Sequence, residues 1–120
     1  MTHSIVSYVD EDRGAGHVQE LRRGTVVLAC LVTLSEPNYG YGLLETLSEA
    51  GFSVDGNTLY PLLRRLEKQG LLTSEWNTDE SRPRKFYRVS PAGAAMVDTL
   101  MTEWTTLDTA IRALGERTTQ

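Results

Sequence analysis

Asp55-Gly56-Asn57-Thr58-Leu59-Tyr60-Pro61-Leu62-Leu63-Arg64-Arg65-Leu66-Glu67-Lys68-Gln69-Gly70 is the stretch that decides the fold. Leu59, Leu62, Leu63 and Leu66 recur at three- and four-residue spacing, so they share one apolar stripe of a helix. At about 100° per residue, the opposite face carries Asn57, Pro61, Arg64 and Lys68, with Tyr60 and Arg65 at its margins. Asp55 suits an N-cap, because its carboxylate accepts from the first free backbone N–H groups. Gly70 stands where a helix closes through a left-handed residue. Pro61 resists a simple helix, because it has no N–H and its ring crowds the carbonyl four residues back. Either the first turn is loose or the regular helix begins nearer Pro61. Taken alone, this is an ordinary surface helix with solvated basic residues. Its surroundings make it a candidate recognition helix.

Upstream, residues 17–34 show a helical pattern through Val18, Leu21, Val27, Leu28, Leu31 and Leu34, which predicts one buried helix. Ser35-Glu36-Pro37-Asn38 is a turn, and Asn38 is placed to cap a second helix from Tyr39 to about Ala50. Gly51 ends that helix, and Phe52-Ser53-Val54 leads into the third. Two short helices, the second with an exposed basic face, match a helix-turn-helix. After Gly70 the period changes. Residues 71–76 suit a strand, residues 85–89 are rich in aromatic and β-branched side chains and suit its return, and together they predict a hairpin with a polar tip at 77–83. A hairpin directly after a helix-turn-helix is a wing. Ser90 and Pro91 then open a last helix as N-cap and first helical residue. Its Val97, Leu100, Trp104, Leu107, Ile111 and Leu114 follow a three-four spacing, an a/d seam with no internal partner once the small core has closed. Such a seam is expected to pair with a second copy of the chain.

Length and composition agree with this layout. The 120 residues suffice for one main core, and 40% hydrophobic with 23% charged is ordinary for a soluble protein. No apolar run approaches a membrane span, and the start lacks a basic-then-apolar signal, so a cytoplasmic address is the expectation. Cys30 is the single cysteine and lies in an apolar run, which predicts a core residue and excludes a disulfide within one chain. The net charge of −4 argues against coating nucleic acid by bulk charge. The charges are unevenly placed, however. Asp10, Glu11 and Asp12 make the N-terminal segment acidic, whereas Arg82, Arg84, Lys85 and Arg88 make the returning wing strand basic. One positive face is enough to dock on DNA. His3 and His17 stand apart from any metal-ligand spacing, and no glycine-rich phosphate loop occurs, so neither an enzyme nor a cofactor is expected.

At this point three segments resemble the PadR-type transcriptional regulators: Tyr39-Gly40-Tyr41-Gly42-Leu43-Leu44, residues 57–72, and Arg84-Lys85-Phe86-Tyr87-Arg88-Val89-Ser90-Pro91-Ala92-Gly93. The resemblance covers about 21–114, and the Thr-Leu-Tyr-Pro-Leu-Leu-Arg-Arg-Leu-Glu run at 58–67 is its most specific part. It implies a winged-helix repressor that dimerises through its first and last helices. The single C-terminal helix resembles the short subfamily, whose multidrug-sensing members carry a tryptophan where Trp104 stands. The chain departs from the pattern at Asn57, where the family usually has Gly, and at Gly42, where it usually has an acidic residue.

The expected fold is therefore mainly α with a small β-hairpin (α+β): a winged helix-turn-helix followed by a C-terminal dimerisation helix. The expected organisation is a mobile acidic arm over 1–16, a winged-helix DNA-binding domain over 17–90, and the dimerisation helix and tail over 91–120. Asn57, Tyr60 and Arg64 are the base-edge candidates, bordered by Thr58 and Arg65. Arg82, Arg84 and Lys85 are phosphate or minor-groove candidates, and Tyr39 and Tyr41 open the second helix, where phosphate is commonly met. Tyr41 and Tyr87 are equally well read as half-buried core residues. The expected partners are a double-stranded inverted-repeat operator, a second copy of the chain, and a planar apolar inducer. The inducer would stack between two Trp104 rings, beside Leu100, with Asp108 one turn away to pair a cationic group. The competing interpretations are that Trp104 merely fills the seam, and that the chain is a winged-helix protein-interaction module without DNA binding.

Overall fold

The computed structural model describes residues 14–79 and 81–119. Most of the expected acidic arm, 1–13, lies outside the described residues. Residues 14–16, read from sequence as the end of that arm, are already helical. Helix α1 covers 14–23, and a turn at Gly24 and Thr25 separates it from α2, Val26–Thr33. The pattern over 17–34 had predicted one helix. The break arises because the Thr25 N–H and hydroxyl both donate to the Arg22 carbonyl, at 2.9 and 2.7 Å. The Thr25 carbonyl then accepts from the Ala29 N–H and starts α2 afresh.

The remaining elements are β1 (Asn38–Tyr39), α3 (Gly40–Glu49), α4 (Gly56–Lys68), β2 (Leu72–Asn77), β3 (Arg84–Val89) and α5 (Pro91–Thr119). The wing is antiparallel, as expected, but it is one strand richer than a hairpin. The sheet order is β1-β3-β2, with Asn38 opposite Tyr87 and Tyr39 opposite Phe86. Asn38 is thus a strand residue and not the cap of α3. Its Oδ1 accepts from the Tyr39 N–H at 2.9 Å, and Tyr39 takes the N-cap position without a side-chain cap bond.

Helix α4 begins at Gly56 and runs through Pro61 without a later start. Asp55 Oδ1 accepts from the Thr58 N–H at 2.9 Å, as a cap should. Pro61 leaves the Asn57 carbonyl without its helical donor, and Asn57 is exposed, so water can serve it. The helix closes at Gly70, φ +80°, with Gly70 N–H donating to the Glu67 carbonyl and Leu71 N–H to the Leu66 carbonyl, both at 2.9 Å. Helix α3 closes the same way at Gly51, φ +96°.

Val26, Cys30, Leu31, Leu34, Leu43, Leu47, Leu59, Leu62, Leu63, Leu66, Leu72 and Tyr87 form one core under α2, α3, α4 and the sheet. All four leucines of the α4 stripe belong to it. Cys30 is fully buried, and that burial pushes its thiol up to about 12, so it packs as a small apolar residue and holds no thiolate. Ser90 is buried where α5 begins. Its Oγ donates to the Gly70 carbonyl at 2.6 Å and accepts from the Gly93 N–H at 3.0 Å, so one side chain joins the end of α4 to the start of α5.

Helix α5 has 29 residues, a length of roughly 43 Å at 1.5 Å per residue. Its predicted seam divides in two. Val97 and Leu100, with Met96, pack against the protomer's own core. Trp104, Leu107, Ile111 and Leu114 are 50, 60, 64 and 58% exposed. Only the outer part of the seam is therefore uncovered. No described helix is long and apolar enough to cross a membrane.

Candidate nucleic-acid interface

Burying the leucine stripe leaves the other face of α4 in solvent. Asn57, Tyr60, Pro61, Arg64 and Lys68 are all exposed there. Tyr60 is partly held. Its ring lies over Gly40 at the start of α3, so closely that a Cβ on Gly40 would run into it, while 39% of the residue stays accessible. Helices α4 and α3 are thus seated on each other through one aromatic ring and a residue without a side chain. Gly42 has a similar reason to lack a side chain, because a Cβ there would meet the Asn38 amide.

Thr58 and Arg65 turn away from this face. With Pro61 at its edge, they line a groove of about 970 Å3 that α4 shares with α1 and the segment after α3, together with Arg22, Arg23, Val18 and Phe52. The Arg22 guanidinium donates to the Gly51 carbonyl at 2.6 Å across its rim. Arg65 and Arg64 are neighbours in sequence, but the helical step sends them to different surfaces.

Strand alternation divides the basic run of the wing in the same way. Arg84, Phe86 and Arg88 share one face of β3, and Lys85, Tyr87 and Val89 the other. On the first face, the Arg84 guanidinium lies 4.5 Å from the Tyr39 ring centroid, and Tyr39 meets Phe86 edge-on at 5.6 Å. Tyr39 is thereby a platform for Arg84, whereas Tyr41 is 57% exposed. Tyr87 is buried, so of the two tyrosines with an alternative core interpretation only Tyr87 joins the core. Arg82 is exposed at the wing tip, and Trp76 is 64% exposed at the end of β2.

On the second face, Lys85 points back toward α4. Its Nζ lies 3.3 Å from Glu67 Oε1 and 5.4 Å from the Tyr87 ring centroid. The other Glu67 oxygen accepts from the Ser74 hydroxyl. Glu67 thus touches both long wing strands from the last turn of α4. The Ser74 hydroxyl, followed by Lys85, holds its carboxyl below the usual range, against an opposing desolvation cost. Nothing in the sequence pattern singled out Glu67, because its partners are set by the register of β2 and β3. Lys68 and Arg88 are two further exposed cations on these surfaces. The four-residue step from Arg64 was the sequence signal for Lys68.

The predicted ligand residues lie on α5 and not on the wing. Trp104 is half-exposed, Leu100 is packed inward, and Asp108 Oδ1 accepts from Arg112 Nε at 3.1 Å. Asp108 therefore already has a cation, one turn further along the same helix.

The family model "Transcriptional regulator PadR-like family" matches residues 27–99. The crystal structure of a PadR family transcriptional regulator from Eggerthella lenta superposes with a TM-score of 0.84 at 43% identity, covering 89% of this chain and 96% of that one. A PadR-like transcription factor from Bacteroides fragilis gives a TM-score of 0.70 at 30% identity, covering 82% and 98% of the two chains. The transcriptional regulator Rv3488 of Mycobacterium tuberculosis is 40% identical over 79 residues, 65% of this chain and 74% of that protein.

The Glu67 contacts predict a pH dependence. A carboxyl whose pKa is lowered by folding contributes stability above its unfolded pKa and loses it as pH falls through the folded value. The Lys85 and Glu67 side chains are 32 and 33% exposed, so the contribution at neutral pH is on the order of 1 kcal/mol or less. In urea unfolding, Glu67→Gln should be less stable than wild type at neutral pH. The gap should close as pH falls below the ordinary carboxylate range. A gap that stays constant or widens in acid would show that the carboxylate charge stabilises nothing.

Proposed function

The chain belongs to the PadR-like family of transcriptional regulators, and from that premise we propose that it works as a homodimeric repressor whose operator is released by a planar apolar ligand. Membership makes it a DNA-binding regulator and not an enzyme. The observation that carries the finer reading is the uncovered outer seam of α5. Four large apolar side chains on one stripe, all at least half-exposed, have no partner in the described protomer. A second α5 covers them, with α1 as a further contact. A two-fold axis through that contact gives the dimer two α4 faces and two wings, which matches an inverted repeat.

On each half-site, Arg64, Asn57 and Tyr60 meet base edges. Arginine pairs two donors with a guanine and asparagine pairs bidentately with adenine, so Asn57 sets base preference at its position. Arg82, Arg84 and Arg88 of the wing and Lys68 meet phosphates, which positions the reading helix without adding sequence information. Near the axis, the two Trp104 rings face each other and accept a flat ligand between them. Arg112 already neutralises Asp108, so this slot favours a neutral planar molecule unless a cation displaces the guanidinium. A ligand touching both protomers favours one placement of the two halves, and the operator reads that same placement. Ligand and DNA therefore weaken each other equally, by about 1–3 kcal/mol, or roughly five- to a hundredfold.

Three measurements test this. Leu107→Asp with Ile111→Asp alters residues that are exposed in one protomer, so helicity should persist while sedimentation changes from dimer to monomer. A double variant that remains dimeric would place the interface elsewhere. In gel shifts against the DNA upstream of the protein's own gene, Arg64→Ala should lose about 1–3 kcal/mol of discrimination between that DNA and random duplex. Equal weakening on both would remove Arg64 from base reading, and no wild-type shift on any duplex would favour a protein-interaction module. Planar dyes should quench wild-type tryptophan fluorescence and lower operator affinity, and Trp104→Ala should abolish both effects, with Trp76 as the silent control. Dyes that bind the alanine variant as tightly as wild type would leave Trp104 as packing alone.

A further inference from the structure

We propose that Glu67 withholds the Lys85 charge from DNA, so that Lys85 adds nothing to the wing's sequence-independent grip. This inference rests on DNA binding by the α4 face and the wing. Lys85 is part of the basic run, and by sequence it counts as one more phosphate contact. Its position says otherwise. It lies on the inward face of β3, its ammonium 3.3 Å from Glu67 Oε1 and close to the Tyr87 ring, and only about a third of the side chain is exposed. Glu67 is itself fixed by the Ser74 hydroxyl, the residue directly opposite Tyr87 in the β2–β3 register. The pair is therefore a built junction among three elements.

A cation adds salt-dependent affinity for DNA when its own free charge replaces counterions on a phosphate. Lys85 and Glu67 together carry no net charge, so the pair releases none. For Lys85 to reach a phosphate, it would leave a carboxylate behind it, facing the polyanion without a counter-charge. Arg82 and Arg88 are exposed, and Arg84 lies over Tyr39 on the opposite face of the sheet, away from Glu67. Removing the charge of Glu67 while keeping an acceptor for Ser74 should free Lys85 and leave the wing in place.

The test uses the full chain and a short random-sequence duplex, with affinity followed by fluorescence anisotropy over a range of salt concentrations. Lys85→Met strands the Glu67 carboxylate, so it should lower affinity through repulsion but leave the slope of log affinity against log salt, which counts engaged phosphates, at its wild-type value. Glu67→Gln should steepen that slope by about 0.9, one phosphate's worth, and raise affinity about fivefold near ~0.15 M salt. Glu67→Gln combined with Lys85→Met should return the slope to wild type. A Lys85→Met slope shallower by about 0.9 would mean that Lys85 already engages DNA and would overturn the proposal. So would an unchanged slope in folded Glu67→Gln. Should Glu67→Gln fail to fold, the Lys85→Met comparison decides alone. Wild-type protein without salt-dependent affinity for any duplex would overturn the DNA reading itself, and this inference with it.

Discussion

Burial of Leu59, Leu62, Leu63 and Leu66 fixes the rotation of α4, and the rest of the molecule depends on that rotation. Each fully buried leucine is worth about 1.5–3 kcal/mol. Four of them amount to something comparable with the whole stability of a small domain, about 5–15 kcal/mol. A helix held so firmly has no freedom to choose which residues it shows. Asn57, Tyr60, Arg64 and Lys68 face solvent because the leucines cannot. Arg65, one step round, is carried into the groove beside α1. The polar face is a consequence of the apolar one.

The same helix governs its neighbours through a few polar contacts. At its start, the Tyr60 ring seats it on Gly40 of α3. In its last turn, Glu67 holds β2 through Ser74 and β3 through Lys85. Just beyond its end, Ser90 binds the Gly70 carbonyl and caps α5. The direction in which α5 leaves the body is therefore tied to the direction in which α4 lies. In the proposed dimer this tie matters, because a change in how two α5 helices meet must alter the spacing of two α4 faces. It is the mechanical route by which the proposed ligand near Trp104 would act on DNA binding.

Much of this was legible in the sequence. The leucine spacing gave the α4 face, Asp55 and Gly70 gave its ends, and Ser90 and Pro91 gave the start of α5. These features are local, set by residues within one or two turns of each other. The misses share the opposite character. Strand β1 exists because Asn38 and Tyr39 lie beside residues almost fifty positions later. The break between α1 and α2 comes from a threonine bonding backward, which apolar periodicity does not register. Lys85 and Arg84 look alike in a basic run, yet pleating sends one to Glu67 and the other to Tyr39. The seam of α5 was visible as a period, but only packing shows that Val97 and Leu100 are spent on the protomer's own core. A pattern can say that a face is apolar; the three-dimensional neighbours decide whether it is still available.

In the proposed dimer, two α4 helices, held with their leucines inward, read DNA from opposite sides of a two-fold axis. Hydroxyl-radical footprinting on the DNA upstream of the protein's own gene tests this arrangement most directly. Two symmetric protections are expected, with centres about 34–36 Å apart or a multiple of that along one side of the duplex. Lighter protection should flank each centre where a wing lies on the backbone. A single patch without a symmetric mate, or two patches at a spacing out of phase with the helical turn, would contradict it.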